Sequence, residues 1–307
     1  MIKEYYKEYE HCSLCPRNCF VNRYKIKGFC GENANLSINA ALLHQGEEPC
    51  ISFKKGSGTI FFTGCSLRCP FCQNMQISQR PDDKNIYSQK KFVEAMEKLI
   101  QSGAENINFV TPDHFAPHIV EGIKIIKKKG YDLPFIYNCS GYQSIDHLKS
   151  VIDYIDIFLF DYKFADCNAS KKILSNESYP EVCEKALEFV ILNKGNLVLN
   201  DEGKALSGVL VRHLIMPGFL ENSLSVINNL FIDYGNKIHL SLMSQYSPKY
   251  LRSGFDFLNK RITRNEYQSV VDLLENLGLT NGYIQEFIDL EDEFLPDFKS
   301  NEIFGNR

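Results

Sequence analysis

Three cysteines, Cys65, Cys69 and Cys72, stand in the spacing C-x3-C-x2-C within GTIFFTGCSLRCPFCQN. Thiolates are the soft ligands that iron–sulfur clusters and zinc prefer. A [4Fe–4S] cube has four irons, so three protein thiolates leave one iron open to another molecule. A zinc site completed by a distant fourth ligand such as His114 is the other chemistry this set allows. With 11 cysteines in 307 residues, such a spacing arises by chance on the order of 0.01 times per chain, so it calls for a chemical cause.

A second group, Cys12, Cys15, Cys19 and Cys30, follows C-x2-C-x3-C-x10-C. Four ligands are enough to close a site, and the choices are structural zinc or a second iron–sulfur cluster. His11 and Cys50 are spare ligands nearby. Residues 1–50 are polar and weakly periodic, with too few apolar side chains for a core of their own. They read as a cysteine-rich metal-binding extension clamped against a main domain over 51–307 that ends in a helical and strand tail. Among the scattered cysteines, Cys139 sits at a strand end, as a small buried filler or a radical-relay thiol. Cys167 and Cys183 read as structural or free thiols.

The elements that must position these groups begin near residue 58. Short apolar runs read as buried strands at Thr59–Thr63, Ile107–Val110, Pro134–Tyr137, Ile155–Phe160, Gly208–Leu214 and Ile238–Leu242. Helical patterns lie between them. Ser88 caps a helix whose face is Phe92, Ala95, Met96, Leu99 and Ile100, closed by Gly103. Ile119, Val120, Ile123 and Ile126 form a second face, and Val182, Ala186, Phe189 and Val190 a third. Thr263 with Glu266 is a capping box. Asn200–Gly203 reads as the turn of a hairpin before the fifth strand. Six strands alternating with helices imply parallel βαβ units, hence an α/β fold that closes as a partial (β/α)6 TIM-like barrel or lies open. In either form chemistry gathers at the C-terminal strand ends: Gly64–Cys72, Thr111–His114, Asn138–Tyr142, Asp161–Lys163, Met216–Gly218 and Ser244–Pro248.

Composition narrows the function. The chain has 34 basic and 38 acidic residues, for a net charge of −4, which argues against a nucleic-acid partner. No apolar run reaches the roughly 18 residues that cross a bilayer, so no membrane partner is expected. MIKEYYKEYEHC has no apolar signal-peptide core, which carries the expectation of a cytoplasmic chain with reduced thiols.

The C-x3-C-x2-C loop, with the aromatic Phe71 before its last cysteine, resembles the signature of radical S-adenosylmethionine enzymes. Its surroundings resemble the branch that contains pyruvate formate-lyase activating enzyme. CSLCPRNC, EEPCIS, INFVTPDHF, YNCSGY, VRHLIMPG and LMSQYSP extend the likeness, from about residue 12 to residue 267, to the pyruvate formate-lyase activating enzyme-like (PflX-like) group. The resemblance implies a [4Fe–4S] cluster on Cys65, Cys69 and Cys72 that cleaves S-adenosylmethionine reductively. It implies hydrogen abstraction from a substrate, such as the glycine of a glycyl-radical enzyme, and an electron donor such as a flavodoxin or ferredoxin. Asp161 and Lys163, as DYK, are similar to the Asp-x-Lys that meets the cofactor's polar groups. Arg212 is a second cation for the same pocket, and Phe71 packs near the adenine. Where relatives carry Gly-Gly-Glu this chain has VTPDH, so backbone carbonyls near Thr111, or the side chains of Thr111 and His114, would hold the cofactor's amino group. Gln245 stands where relatives have a histidine near the ribose. His213 alternates away from Arg212 along its strand and reads as a packing residue. The competing reading is a non-catalytic iron–sulfur electron carrier or a zinc-stabilised interaction module.

Overall fold

The computed structural model describes residues 5–79, 85–287, 295–300 and 302–304. After a short cysteine-rich segment the chain runs β1 (Leu36–His44), α1 (Pro49–Ser52), β2 (Ser57–Phe62), α2 (Met75–Ser78), β3 (Ile86–Tyr87), α3 (Gln89–Gln101), β4 (Ile107–Val110) and α4 (Ala116–Lys128). It continues with β5 (Phe135–Cys139), α5 (Ile145–Val151), β6 (Ile157–Asp161), α6 (Cys167–Leu174), α7 (Tyr179–Lys194), β7 (Val198–Leu199) and β8 (Ala205–Leu214). The last elements are α8 (Leu220–Tyr234), β9 (His239–Met243), α9 (Arg264–Leu277) and β10 (Gly282–Ile284).

The strands form one sheet in the order β10-β9-β8-β6-β5-β4-β2-β1-β3, with β7 paired to β8 as a hairpin. From β2 through β10 every neighbour on this path is parallel, and helices connect them. This is the α/β half-barrel, one of the two forms the alternating pattern allows, with all six expected strands present. Two edges lay outside the sequence reading. β10 extends the parallel run by one strand. β1 pairs antiparallel with β2, so Leu36–His44 belongs to the sheet and the expected boundary at residue 50 falls after it. The reason is its mixed pattern: only its first three residues are buried, so neither strict alternation nor a continuous apolar run marks it.

The helices form where the caps and stripes predict. Ser88 Oγ accepts the Lys91 N–H at 3.2 Å, and Gly103 takes φ 92° just beyond the C-cap, a conformation glycine adopts without steric cost. The α3 stripe buries Phe92, Val93, Met96 and Leu99. Phe92 meets Phe62 and Phe109 with ring centroids 6.2 Å apart in each case. Truncating it to alanine costs about 3–5 kcal/mol. At α9, Thr263 and Glu266 form the full capping box.

Strand periodicity builds the barrel's inside. Ile136, Ile157, Leu159 and Leu210 pack with Cys50 and Ile51 of α1 into an inner cluster that plugs one end. Two residues further along the same strand faces come Asn138, Asp161 and Arg212. An apolar floor and a polar upper layer thus follow from one alternation.

Candidate functional site

The cysteine loop leaves β2 through Gly64, at φ 76°. A Cβ there would stand 2.6 Å from Glu32 Cγ and 2.8 Å from the Cys30 carbonyl oxygen, so only glycine lets the loop turn this close to the N-terminal segment. Cys72 N–H donates to the Cys69 carbonyl at 3.2 Å, and Met75 N–H to that of Cys72 at 3.1 Å. Gln79 Nε2 ties the Cys69 carbonyl at 2.5 Å. Two of the sulfurs accept hydrogen bonds: Cys65 Sγ from Leu67 N–H and Cys72 Sγ from Ser78 Oγ, each at 3.3 Å. Burial pushes the Cys65 thiol up to about 11 and raises Cys69 and Cys72 as well. Such thiols become thiolates only when a cation binds them.

All three cysteines line one cavity of about 220 Å³ at the C-terminal strand ends. The same cavity is lined by a half-buried ion network. Asp161 is aligned with Arg212 across β6 and β8. Asp161 Oδ1 accepts from Arg212 Nε at 2.8 Å and Oδ2 from Lys163 Nζ at 2.5 Å. Arg212 also reaches Asn138 Oδ1 at 2.5 Å and Glu47 Oε2 at 3.3 Å. Burial works to raise Asp161, but Arg212 and Lys163 override it and hold the carboxyl below its ordinary value. For Lys163 burial works downward, and Asp161 and Cys69 more than offset it. Glu47 goes the other way: burial outweighs Arg212 and raises it.

Phe71, Thr111 and Gln245 line the same cavity, so the structure brings these three together with Asp161, Lys163 and Arg212. Phe71 packs against Phe164 and Tyr246, with centroids 6.4 and 6.3 Å away. Thr111 takes φ 59°, a left-handed conformation that is strained for a β-branched residue, and its N–H bonds the Asn138 carbonyl at 3.1 Å.

His114 does not join the site. Its Nε2 meets the Thr63 carbonyl at 2.7 Å, and burial, with Arg23 beside it, lowers its pKa to about 4. Neither the role of fourth zinc ligand nor that of cofactor contact fits this arrangement. His213 is a buried packing residue held by the Tyr162 carbonyl and Ser223 Oγ at 2.7 and 2.9 Å. Cys139 lines the cavity, Cys183 is buried beneath Asp161, and Cys167 is exposed.

Sequence reasoning missed Glu47, Asn138 as a partner of Arg212, and the C-terminal tail. Glu47 lies in EEPC, two residues before the proline that opens α1, and nothing in that string signals a partner for Arg212. Phe298 and Phe304 of the tail pack on Phe61, at 5.2 and 5.9 Å, and Phe304 stacks on His44 at 4.0 Å, on the rim of the cavity.

The N-terminal cysteines form a knuckle with a small core of Tyr9, Cys12, Leu14 and Ala34. It docks on the cysteine loop: Cys65 N–H donates to the Cys30 carbonyl at 3.1 Å, and Arg17 Nε to the Ser66 carbonyl at 3.0 Å.

A parallel α/β half-barrel with three cysteines after its first parallel strand defines a class, and comparison with known proteins agrees. Residues 59–197 match the Radical SAM superfamily model, and the chain carries a domain of that superfamily. It is 28% identical over 277 residues, 88% of its length and 76% of the relative's, to the uncharacterized protein MJ0674 of Methanocaldococcus jannaschii. It is 26% identical over 151 residues, 47% of its length and 59% of the relative's, to the putative glycyl-radical enzyme activating enzyme MJ1227 of the same organism. Among solved structures it resembles methylornithine synthase (PylB), with a TM-score of 0.48, 14% identity, and coverage of 78% of this chain and 70% of that one. Streptococcus suis SuiB bound to S-adenosylmethionine gives a TM-score of 0.45 and 11% identity over 72% of this chain. The chain spans 48% of SuiB.

A radical SAM domain implies a [4Fe–4S] cluster and S-adenosylmethionine, and the residues present fit both. Three thiols, those of Cys65 and Cys69 buried and that of Cys72 half-buried, line one cavity, and two of them already accept hydrogen bonds. Beside them stand two cations and two acids able to meet a zwitterionic amino acid.

Proposed function

We propose that Cys65, Cys69 and Cys72 hold the cluster, that the adjoining cavity holds S-adenosylmethionine, and that the enzyme abstracts hydrogen from a protein substrate in the manner of glycyl-radical enzyme activases. The observation that carries this reading is the shared cavity: the cysteines and the Asp161–Lys163–Arg212 network line one chamber. When bound there, the cluster and S-adenosylmethionine supply a 5′-deoxyadenosyl radical.

The chain's own residues then have distinct tasks. Lys163 and Arg212 offer the cations for a carboxylate, since each already pairs with Asp161. Asp161, kept ionised by those neighbours, accepts from an ammonium or a ribose hydroxyl. The backbone at Thr111, turned by its positive φ, presents carbonyl acceptors where relatives use glycines. Phe71 supplies an apolar wall for the adenine, and Gln245 a polar one at the ribose. The apolar rim from Phe61, Phe298 and Phe304 excludes water from the chamber. A one-electron donor such as a flavodoxin or ferredoxin completes the reaction. The likeness of 151 residues to MJ1227 supports a protein glycine as the hydrogen source. A non-catalytic electron carrier has no use for a chamber of about 220 Å³ beside its cluster.

The test is anaerobic reconstitution with iron and sulfide, reduction, and assay for 5′-deoxyadenosine. The reading requires the product in wild-type protein, and deuterium transfer into it from a glycine-deuterated partner enzyme. An intact cluster that yields no 5′-deoxyadenosine refutes it.

A further inference from the structure

Glu47 is a charged chamber residue that the contacts assigned above leave without a task. It comes from the loop between β1 and α1, outside residues 59–197 that match the family model. Even so, it lines the same chamber as Asp161, Lys163 and Arg212. Its backbone is pinned by α1, the helix that plugs the barrel. The Glu47 N–H donates to Ser52 Oγ at 3.1 Å, and the Glu47 carbonyl accepts from that hydroxyl at 3.3 Å. One oxygen anchors the side chain: Oε1 accepts from Asn108 Nδ2 at 2.9 Å and from Asn138 Nδ2 at 3.5 Å. The other, Oε2, accepts from Arg212 Nη1 at 3.3 Å.

Among the described residues, the two acids that line the chamber are unequally compensated. Asp161 holds a cation on each oxygen, at 2.8 and 2.5 Å, and those neighbours keep it below its ordinary value. Glu47 has one cation on a longer contact, and burial raises it despite Arg212. A further cation gains most beside the acid with less compensation, and more so where only 11% of the side chain is exposed. Arg212 has the matching preference. It binds Asp161 at 2.8 Å and Asn138 at 2.5 Å, so Glu47 is the longest of its three contacts. Glu48 also faces Arg212, so the guanidinium keeps acids around it when Glu47 turns away. The Arg212–Glu47 pair is therefore the link that opens at least cost, and it presents a cation and an anion side by side. An α-amino acid carries its carboxylate and its ammonium on one carbon, which suits such an opened pair.

We propose that Glu47 is the residue that selects the α-amino group of S-adenosylmethionine. Arg212 exchanges Glu47 for the cofactor's carboxylate, and Glu47 exchanges Arg212 for its ammonium. Ion pairs are traded and no covalent bond is made or broken. Asn108 keeps Glu47 Oε1 in place while Oε2 changes partner. Asp161 keeps Lys163 and Arg212 in position through the exchange. The inference rests on the S-adenosylmethionine reading and assigns one contact within it.

The experiment uses the full chain, reconstituted anaerobically with iron and sulfide and left unreduced so that nothing is cleaved. Equilibrium dialysis measures Kd for S-adenosylmethionine and for the analogue in which hydrogen replaces the α-amino group. The Kd of the analogue divided by that of S-adenosylmethionine reports the amino-group contact. Glu47→Gln keeps an acceptor for Asn108 and removes the charge. In this variant the ratio is expected to fall about tenfold or more from its wild-type value, because S-adenosylmethionine weakens and the analogue does not. Glu47→Asp keeps the charge on a shorter arm, and its ratio falls between the two. A ratio unmoved in Glu47→Gln overturns the proposal in either form. Both compounds binding as in wild type leaves the amino group to the backbone carbonyls at Thr111, and both weakening alike makes Glu47 only a support for Arg212. Should Glu47→Gln hold less iron than wild type, Glu47→Asp decides: a ratio equal to wild type overturns the proposal there too. A wild-type protein that binds neither compound defeats the earlier reading, whereas S-adenosylmethionine binding with an unmoved ratio defeats this inference alone.

Discussion

The two cysteine loops touch at the Cys30–Cys65 hydrogen bond, yet they face opposite kinds of surroundings. The Cys65–Cys72 loop opens on a chamber whose charges are already matched, Asp161 and Glu47 against Lys163 and Arg212. The Cys12–Cys30 knuckle closes on Arg23, a fully buried cation held by the carbonyls of His114 and Asn33 and by the Tyr9 ring. Three cysteines beside a charge-balanced cavity suit a centre that must admit a substrate. Cys12 and Cys19 instead pack among Tyr9, Leu14 and Ala34.

The comparison can be broken most severely at the ligands themselves. Cys69→Ala is expected to abolish iron on the barrel loop and all 5′-deoxyadenosine formation, whereas Cys183→Ala, buried beneath Asp161 outside the chamber, leaves iron and product intact. Equal iron contents in the two variants contradict the assignment. Next in size is Asp161→Asn, which strips the acid from two half-buried cations. It should lower stability by about 3–5 kcal/mol and, by weakening a charge-assisted contact, lower kcat/KM for S-adenosylmethionine by roughly a hundredfold; urea melts and kinetics measure the two separately.

Acid tests how the knuckle is seated. His118 binds the Ala34 carbonyl at 3.0 Å, and His213 joins β8 to α8. Burial lowers each from 6.5 to about 4. The unfolded chain therefore takes up protons that the folded one refuses. The stability each contributes is complete above pH 6.5 and is lost progressively as pH falls toward 4, on the order of a few kcal/mol apiece. His118→Gln should flatten that slope, and melts at pH 4.5 and 7.5 that differ as in the parent protein count against it. Gly64→Ala forces a Cβ against Glu32 and the Cys30 carbonyl, and should cost about 1–3 kcal/mol while loosening the knuckle to proteolysis. The smallest effect is a gain: Thr111→Gly relieves a positive φ and should stabilise by about 1 kcal/mol, read as a higher Tm.

The parallel strands were legible in the sequence because burial on both faces leaves continuous apolar runs, as in INFV of β4. Asp161, Lys163 and Arg212 were legible because they end such runs. β1 was hidden by half burial, and β10 by its three-residue length. Glu47 and Arg23 were hidden for a deeper reason. A charged residue reads as surface in sequence, and only the fold reveals that Glu47 meets Arg212 inside the barrel or that Arg23 is sealed behind Tyr9. His114 misled because a histidine after a strand end invites a ligand role, while its ring turns instead to the Thr63 carbonyl.

The account stands or falls on whether the cluster on Cys65, Cys69 and Cys72 has an iron that S-adenosylmethionine can reach. Titrating S-adenosylmethionine into the reduced, reconstituted protein while recording its electron paramagnetic resonance spectrum measures this directly. The expected result is a spectrum that changes with saturable dependence on S-adenosylmethionine and is lost in Cys69→Ala. A spectrum that stays the same in wild-type protein with its full complement of iron contradicts it.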